Sequence, residues 1–331
     1  MRHQFIARRG VSNVILIGLC AASTYANHGP GTSGGGLFTI PGETLKASAW
    51  DMSFRLDYTS FDGVSAAQAE ARAAASGGFD SIDSSRLTNF ALSYGVTDDL
   101  QVSAAVGWYW GNNFIDAEDT GKGIESATAD PSGLTDLWIT AKYRVMKGEN
   151  GHLSILAGLK LPTGADDQTL SNGELLEPSS QPGSGSYDFL GGFGYSRFLT
   201  AHLTLDASVS YTLRTEANDF KVGNRFDAGA ALAWRITDAI DTFPNISLFG
   251  EVAFTSIMKD EAAGIENPNS GGSTLYLAPG VRARLTNTTA LTLSPQFPVW
   301  QNLCGAQVDT NFKLTAMLLS LIHISEPTRP Y

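Results

Sequence analysis

Cysteine is nearly absent. Of the two in the chain, Cys20 lies in the first two dozen residues and Cys304 stands alone far from it. A disulfide scaffold is therefore excluded. Histidine is scarce too, with five in 331 residues, which leaves few candidates for the general base that hydrolytic chemistry commonly uses. Charged residues make up 17% of the chain, below the roughly 25% usual for soluble domains. The net charge of −11 argues against nucleic acid as a partner, because a phosphate backbone attracts basic surfaces. A long apolar run is also missing: no stretch reaches the ~20 residues that a membrane-spanning helix needs. If this chain crosses a membrane, it does so with strands, whose backbone groups pair with one another.

The two ends differ from the rest. Arg2, His3, Arg8 and Arg9 precede a short apolar core at 14–22, and Ala26 closes a small-residue site for cleavage. Residues 1–26 have the form of a secretory signal peptide. Residues 27–44, NHGPGTSGGGLFTIPGET, are glycine-rich and loop-like. At the far end, LSLIHISEPTRPY (319–331) resembles the in-frame translation of a transposase sequencing adapter, and it is set aside as a non-native scar.

Between these ends the side chains alternate. In 134–164, Leu137, Ile139, Ala141, Tyr143 and Val145 share one face, against Asp136, Trp138, Thr140, Lys142 and Arg144. A polar turn at 147–151 leads to a second strand, with Leu153, Ile155, Ala157, Leu159 and Leu161 against Ser154, Gly158 and Lys160. Opposite faces at period two define a strand. The same pattern recurs at 50–58, 90–96, 100–110, 189–195, 203–213, 226–234, 246–254, 275–283, 289–299 and 308–318. Pro295 and Pro298 weaken the eleventh of these, since proline removes a ladder donor. Residues 65–76 are alanine-rich and predict a short helix.

The pattern predicts an all-β fold, a transmembrane antiparallel up-and-down β-barrel of about 12 strands. Aromatic residues near the ends of the apolar faces suit the interfacial girdles of such a barrel, and the connections alternate in length. Those after strands two, four, six and ten are short and read as periplasmic turns. Those after one, three, five and nine are long and acidic, and read as extracellular loops. The domain reading is then a signal peptide (1–26), a periplasmic tail (27–44), an outer-membrane barrel (45–318) and the scar (319–331). Expected partners are outer-membrane lipid and lipopolysaccharide, the barrel-assembly machinery and a small-molecule solute.

In this reading the polar face is the lumen. It carries Arg55, Asp136, Lys142, Arg144, Lys160, Asp188, Arg282 and Arg284, with Asp51, Asp57, Asp206, Asp227, Glu251 and others. Charges of both signs can pair and fill the interior, or they can line a narrow polar path. Gly158, Gly192, Gly194 and Gly280 on the same face leave room for a path. The acidic loops lack the spacing of a calcium loop, so neither metal nor cofactor is expected. His152 and His202 fall at periplasmic turns, away from the outer leaflet where barrel hydrolases work, so the chain does not read as an enzyme.

Several segments carry a family resemblance. They are GGGLFTIPGETLKASAWDMSFRLDYTSF (34–61), GLTDLWITAKYRV (133–145), LAGLKLPTG (156–164), PGSGSYDFLGGFGYSR (182–197), LYLAPGVRARLT and FPVWQNLCGAQ. Together they resemble the meta-pathway phenol-degradation transporters, a family of bacterial outer-membrane barrels. The resemblance implies a channel, and its most specific positions here are Lys160, Pro162, Thr163, Gly164, Gly183, Gly185 and Asp188. The expected function is passive uptake of small, aromatic or apolar solutes through a narrow mixed-charge lumen. The alternatives are a structural or adhesive barrel with a plugged lumen and, less favoured, an outer-membrane hydrolase.

Overall fold

The computed structural model describes residues 35–323, apart from 122, 150 and 238–241. The segment expected to be a signal peptide, the first part of the glycine-rich tail and residues 324–331 lie outside the described residues. Twelve long strands form the body: β1 (Ala49–Phe61), β2 (Ser84–Gly95), β3 (Leu100–Asn112), β4 (Leu137–Gly148), β5 (Gly151–Leu161), β6 (Asp188–Phe198), β7 (Leu203–Arg214), β8 (Arg225–Arg235), β9 (Asn245–Ile257), β10 (Gly272–Arg284), β11 (Thr289–Leu303) and β12 (Thr310–His323). Each pairs antiparallel with its sequence neighbours, β12 pairs with β1, and the ring closes. Closure removes the exposed edges that a lipid environment would not tolerate.

Burial follows the period of two. On β1 the residues alternate from buried Asp51, Ser53 and Arg55 to exposed Met52, Phe54 and Leu56. Phe193 on β6 and Trp234 on β8 expose 51% and 54% of their surface, which in water would be costly but in a bilayer is the lipid contact. The polar side chains therefore face inward. β11 contains both prolines, and a register shift opposite Leu275 and Tyr276 of β10 absorbs the break at Pro298.

The last strand runs further than expected. β12 extends to His323, and Leu319 pairs with Ser53 while Leu321 pairs with Asp51. Both leucines are buried. The paired strand thus runs past the expected barrel boundary at 318, with Leu319 and Leu321 on the same inward face as Ser53 and Asp51, where polar residues stand elsewhere on the wall.

The long connections build a cap at one end. Helix α1 (Ala66–Ser76) starts at a Ser65/Gln68 capping box. It packs beside a small sheet formed by 78–81, 114–119 and 124–129. Ala69, Ala73, Phe79, Ile115, Ala117, Leu170, Leu176 and Val308, from four different loops, share one hydrophobic cluster with Phe61, Leu87 and Tyr109 of the strand ends. The opposite end carries tight turns at 96–99, 199–202 and 285–288.

A lysine at position 193 would sit on the lipid face near mid-strand. Phe193→Lys is expected to cost about 2–4 kcal/mol, read by reversible folding into liposomes.

Candidate functional site in the barrel lumen

The barrel is not empty. The tail expected in the periplasm turns inward from residue 48 and crosses the lumen, which corrects that assignment for residues 35–44. Ser48 donates to the Gly95 carbonyl at 2.8 Å and Ala47 to Asp98 at 3.0 Å, so the segment starts at the periplasmic rim. The Ala47 amide holds the Asp98 carboxyl below its usual range. From there Leu45 donates to Gln101 of β3 at 3.1 Å. Gly42 donates to Ser196 of β6 at 2.8 Å and accepts from Ser154 of β5 at 2.5 Å. Ile40 donates to Ser208 of β7 at 3.0 Å.

The inner end is clasped by one carboxylate. Glu251 of β9 is fully buried and accepts from the Leu37 amide at 2.7 Å, the Phe38 amide at 3.0 Å and the Thr39 hydroxyl. A buried charge needs such partners, and consecutive backbone N–H groups form an anion-binding concavity. Arg282 of β10 donates to the Gly36 carbonyl at 3.3 Å and stands 5.8 Å from the Phe249 ring.

Of the lumen residues picked out by alternation, three cations touch this segment besides Glu251. Arg282 is one. Lys142 lies 3.5 Å from the Pro41 carbonyl, and Arg55, paired with Asp57 at 2.7 Å, stands 4.9 Å from the Phe38 ring. Asp136, Lys160 and Asp188 instead form one cluster at the cap end. Lys160 pairs with Asp188 at 2.7 Å and Asp136 at 3.2 Å. Arg144 and Arg284 lie at the periplasmic rim, against Asp99 at 2.6 Å and the Phe243 ring at 5.5 Å.

The motif positions form a clasp. Asp136 accepts from the Gly164 amide at 2.9 Å and the Ser184 amide at 3.0 Å. Gly164 and Gly183 lie so close that a Cβ on either would stand 2.7 Å from the other's backbone. Thr163 caps the start of β4 by accepting from Leu137 at 3.0 Å, after the turn that Pro162 begins. Gly185 adopts φ of 69°, a left-handed conformation that favours glycine. These residues tie the 162–187 loop to the wall.

Of the glycines expected to leave room, Gly194 does so for the tail, whereas Gly158 faces Thr140 and Leu190, Gly192 faces Ser210, and Gly280 faces the Phe249 ring, all on the wall. A Cβ on Gly194 would stand 2.6 Å from the Ile40 carbonyl. Two cavities of about 60 Å3 and 50 Å3 lie beside the tail. Both are lined by Arg225, Thr255, Tyr276 and Lys313, with Phe61 and Thr59 toward the cap and Phe38 and Ser208 toward the tail. Lys313 lies 4.5 Å from the Tyr276 ring. Alternation put Gln101, Ser154 and Ser208 on the polar face but did not mark them, or Ser196, as partners of the tail, because a luminal serine looks the same whether it meets water or a backbone amide. The available signal was in the tail itself, where Leu37, Phe38, Ile40 and Leu45 are too apolar for a solvated linker.

Residues 113–302 match the family described as "Putative MetA-pathway of phenol degradation". The chain belongs to this family. Among solved structures, the COG4313 outer membrane channel from Pseudomonas putida F1 aligns with a TM-score of 0.58 at 15% identity, covering 85% of this chain and 97% of that one. That likeness shows the fold of an outer-membrane barrel. The KdgM porin (TM-score 0.43, 8% identity, 82% and 99% covered) and the CymD monoaromatic hydrocarbon channel (0.44, 10%, 85% and 90%) are more distant. A search of curated protein sequences finds no match.

Glu251→Ala removes the acceptor that holds the inner end of the tail. A lost hydrogen bond to a charged group costs about 1.5–3 kcal/mol, so occupancy of the lumen should fall at least about tenfold. The measure is a rise in open probability in planar bilayers, with the heat-modifiable gel shift of the barrel retained.

Proposed function

We propose that this protein is an outer-membrane channel for passive uptake of small aromatic or apolar solutes, with its N-terminal segment as a displaceable plug. The observation that carries this reading is the way 35–48 is held. It is not a strand of the wall, and it is held among the described residues by hydrogen bonds and side-chain packing inside a ring that closes without it. Such contacts can exchange for water or for a solute, because a protein hydrogen bond contributes only about 0.5–1.5 kcal/mol net.

Membership of a family described by phenol degradation supports an aromatic solute. The cavities agree in character, since hydroxyls of Thr59, Thr255, Thr274 and Thr310 share them with the rings of Phe61 and Tyr276. Lys142, Arg55 and Arg282 serve the channel by positioning the plug, and the cluster of Asp136, Lys160 and Asp188 by holding the mouth in shape. No catalytic arrangement is needed for this task.

A second reading, a structural barrel with a permanently filled interior, draws on the occupied lumen and the hydrophobic cap. Solute flux separates the two. Liposomes carrying the full chain should admit phenol or toluene faster than empty liposomes, and deletion of 35–47 should raise the rate further. If neither protein admits solute above the background of empty liposomes, the structural reading stands.

A further inference from the structure

The cap gathers carboxylates from four loops. Asp80 and Asp116 are direct partners on adjacent antiparallel strands, and Glu118 lies opposite Gly78 in the same ladder. Directly opposed residues share a face of the sheet, and so do residues two apart. The other face of this sheet is committed to the core: Phe79 and Ala117 are fully buried in the hydrophobic cluster beside α1. The acidic face therefore cannot turn outward without tearing the cap from its own core.

Glu177, just before the 178–180 turn, meets this face from the 162–187 loop, where Asp116, Glu118 and Asp260 all act on it. Asp260 comes from the 258–271 loop, is fully buried, and accepts from the Gly223 amide at 2.6 Å. One oxygen each of Asp116, Glu177 and Asp260 is buried without a hydrogen-bond partner among the described residues. Glu174 adds a further negative charge beside Asp116. The cations facing the group are few. Arg214 lies between Asp188 and Asp260, and Arg72 is on the opposite side, 4.9 Å from the Phe79 ring. Among the described residues no three carboxylates are arranged to hold a metal ion. Like charges directly opposed across a sheet destabilise it, so the agent that lets these groups pack together is the proton.

We propose that the cap is a proton-operated lid, held closed by protonated carboxylates shared between its loops and loosened when they ionise. Burial raises Asp116 to about 7 and Asp260 to about 6, and it raises Glu177 well above the ordinary range. Carboxyl groups raised in the closed cap bind protons more tightly there than in the open one. Closure is therefore strongest in acid. It weakens as pH rises above the ordinary carboxylate range, about 4, and the loss continues as pH passes through about 7, where Asp116 titrates in the closed cap.

The test is amide hydrogen exchange of the full chain in liposomes, corrected for intrinsic rates, at pH 5 and pH 8. Protection of the α1 amides should fall at least about tenfold between the two, while the amides of β6 and β7 stay constant. Asp116→Asn with Glu177→Gln should keep α1 protected at pH 8, and Asp260→Asn alone should do so in part. The heat-modifiable gel shift confirms that each variant has folded. Equal protection of wild-type α1 at both pH values would overturn the proposal, as would variants that lose protection like the wild type. Protection restored at pH 8 by calcium alone would also overturn it, in favour of a metal as the balancing charge. None of these readouts depends on whether the barrel conducts.

Discussion

A carboxylate in the middle of a closed barrel governs the interior of this protein. Glu251 is fully buried, and a charge in that position requires donors aimed at it. The wall alone does not provide enough of them. The tail supplies two consecutive amides and a hydroxyl, and its remaining polar groups are met by serines and a glutamine on the wall. Each side thus satisfies groups on the other, which is how irregular backbone can lie at membrane depth at all.

The interior is organised in three layers along the barrel axis. At the periplasmic rim, Asp98 and Arg144 surround the point where the tail enters. At mid-height Lys142, Arg55 and Arg282 bracket it. Toward the cap, Lys160 sits between Asp136 and Asp188, and two adjoining glycines let the 162–187 loop approach the wall. Two small cavities lie between the tail and the cap, along β8, β9, β10 and β12.

Much of the barrel was legible because lipid imposes a simple rule on strands. Phe54, Tyr143, Phe193 and Trp234 had to face outward, and their partners one position away had to face in. Alternation therefore located all twelve strands, including one with two prolines, and the connection lengths oriented them. At 319–323 the pairing with β1 continues although Leu319 and Leu321 face inward, against the apolar-out pattern, so alternation did not show that part of the strand. Of the candidate site, the inward-facing charges were found, but not their grouping. Lys142 and Lys160 look alike in sequence, yet one meets the tail and the other an acidic pair.

What the sequence by itself determined is which side of each strand is wet, since burial at period two is a local property of neighbouring residues. Only the tertiary structure decided what fills the wet side. Residues 35–48 reach Glu251 across more than two hundred positions of chain, and Gly194 makes space for Ile40 rather than for a solute. Such contacts arise when the ring closes around a segment, and no local pattern encodes them. The same holds for the cap, where Asp80, Asp116, Glu177 and Asp260 are scattered in sequence and become one group only when four loops share a hydrophobic core.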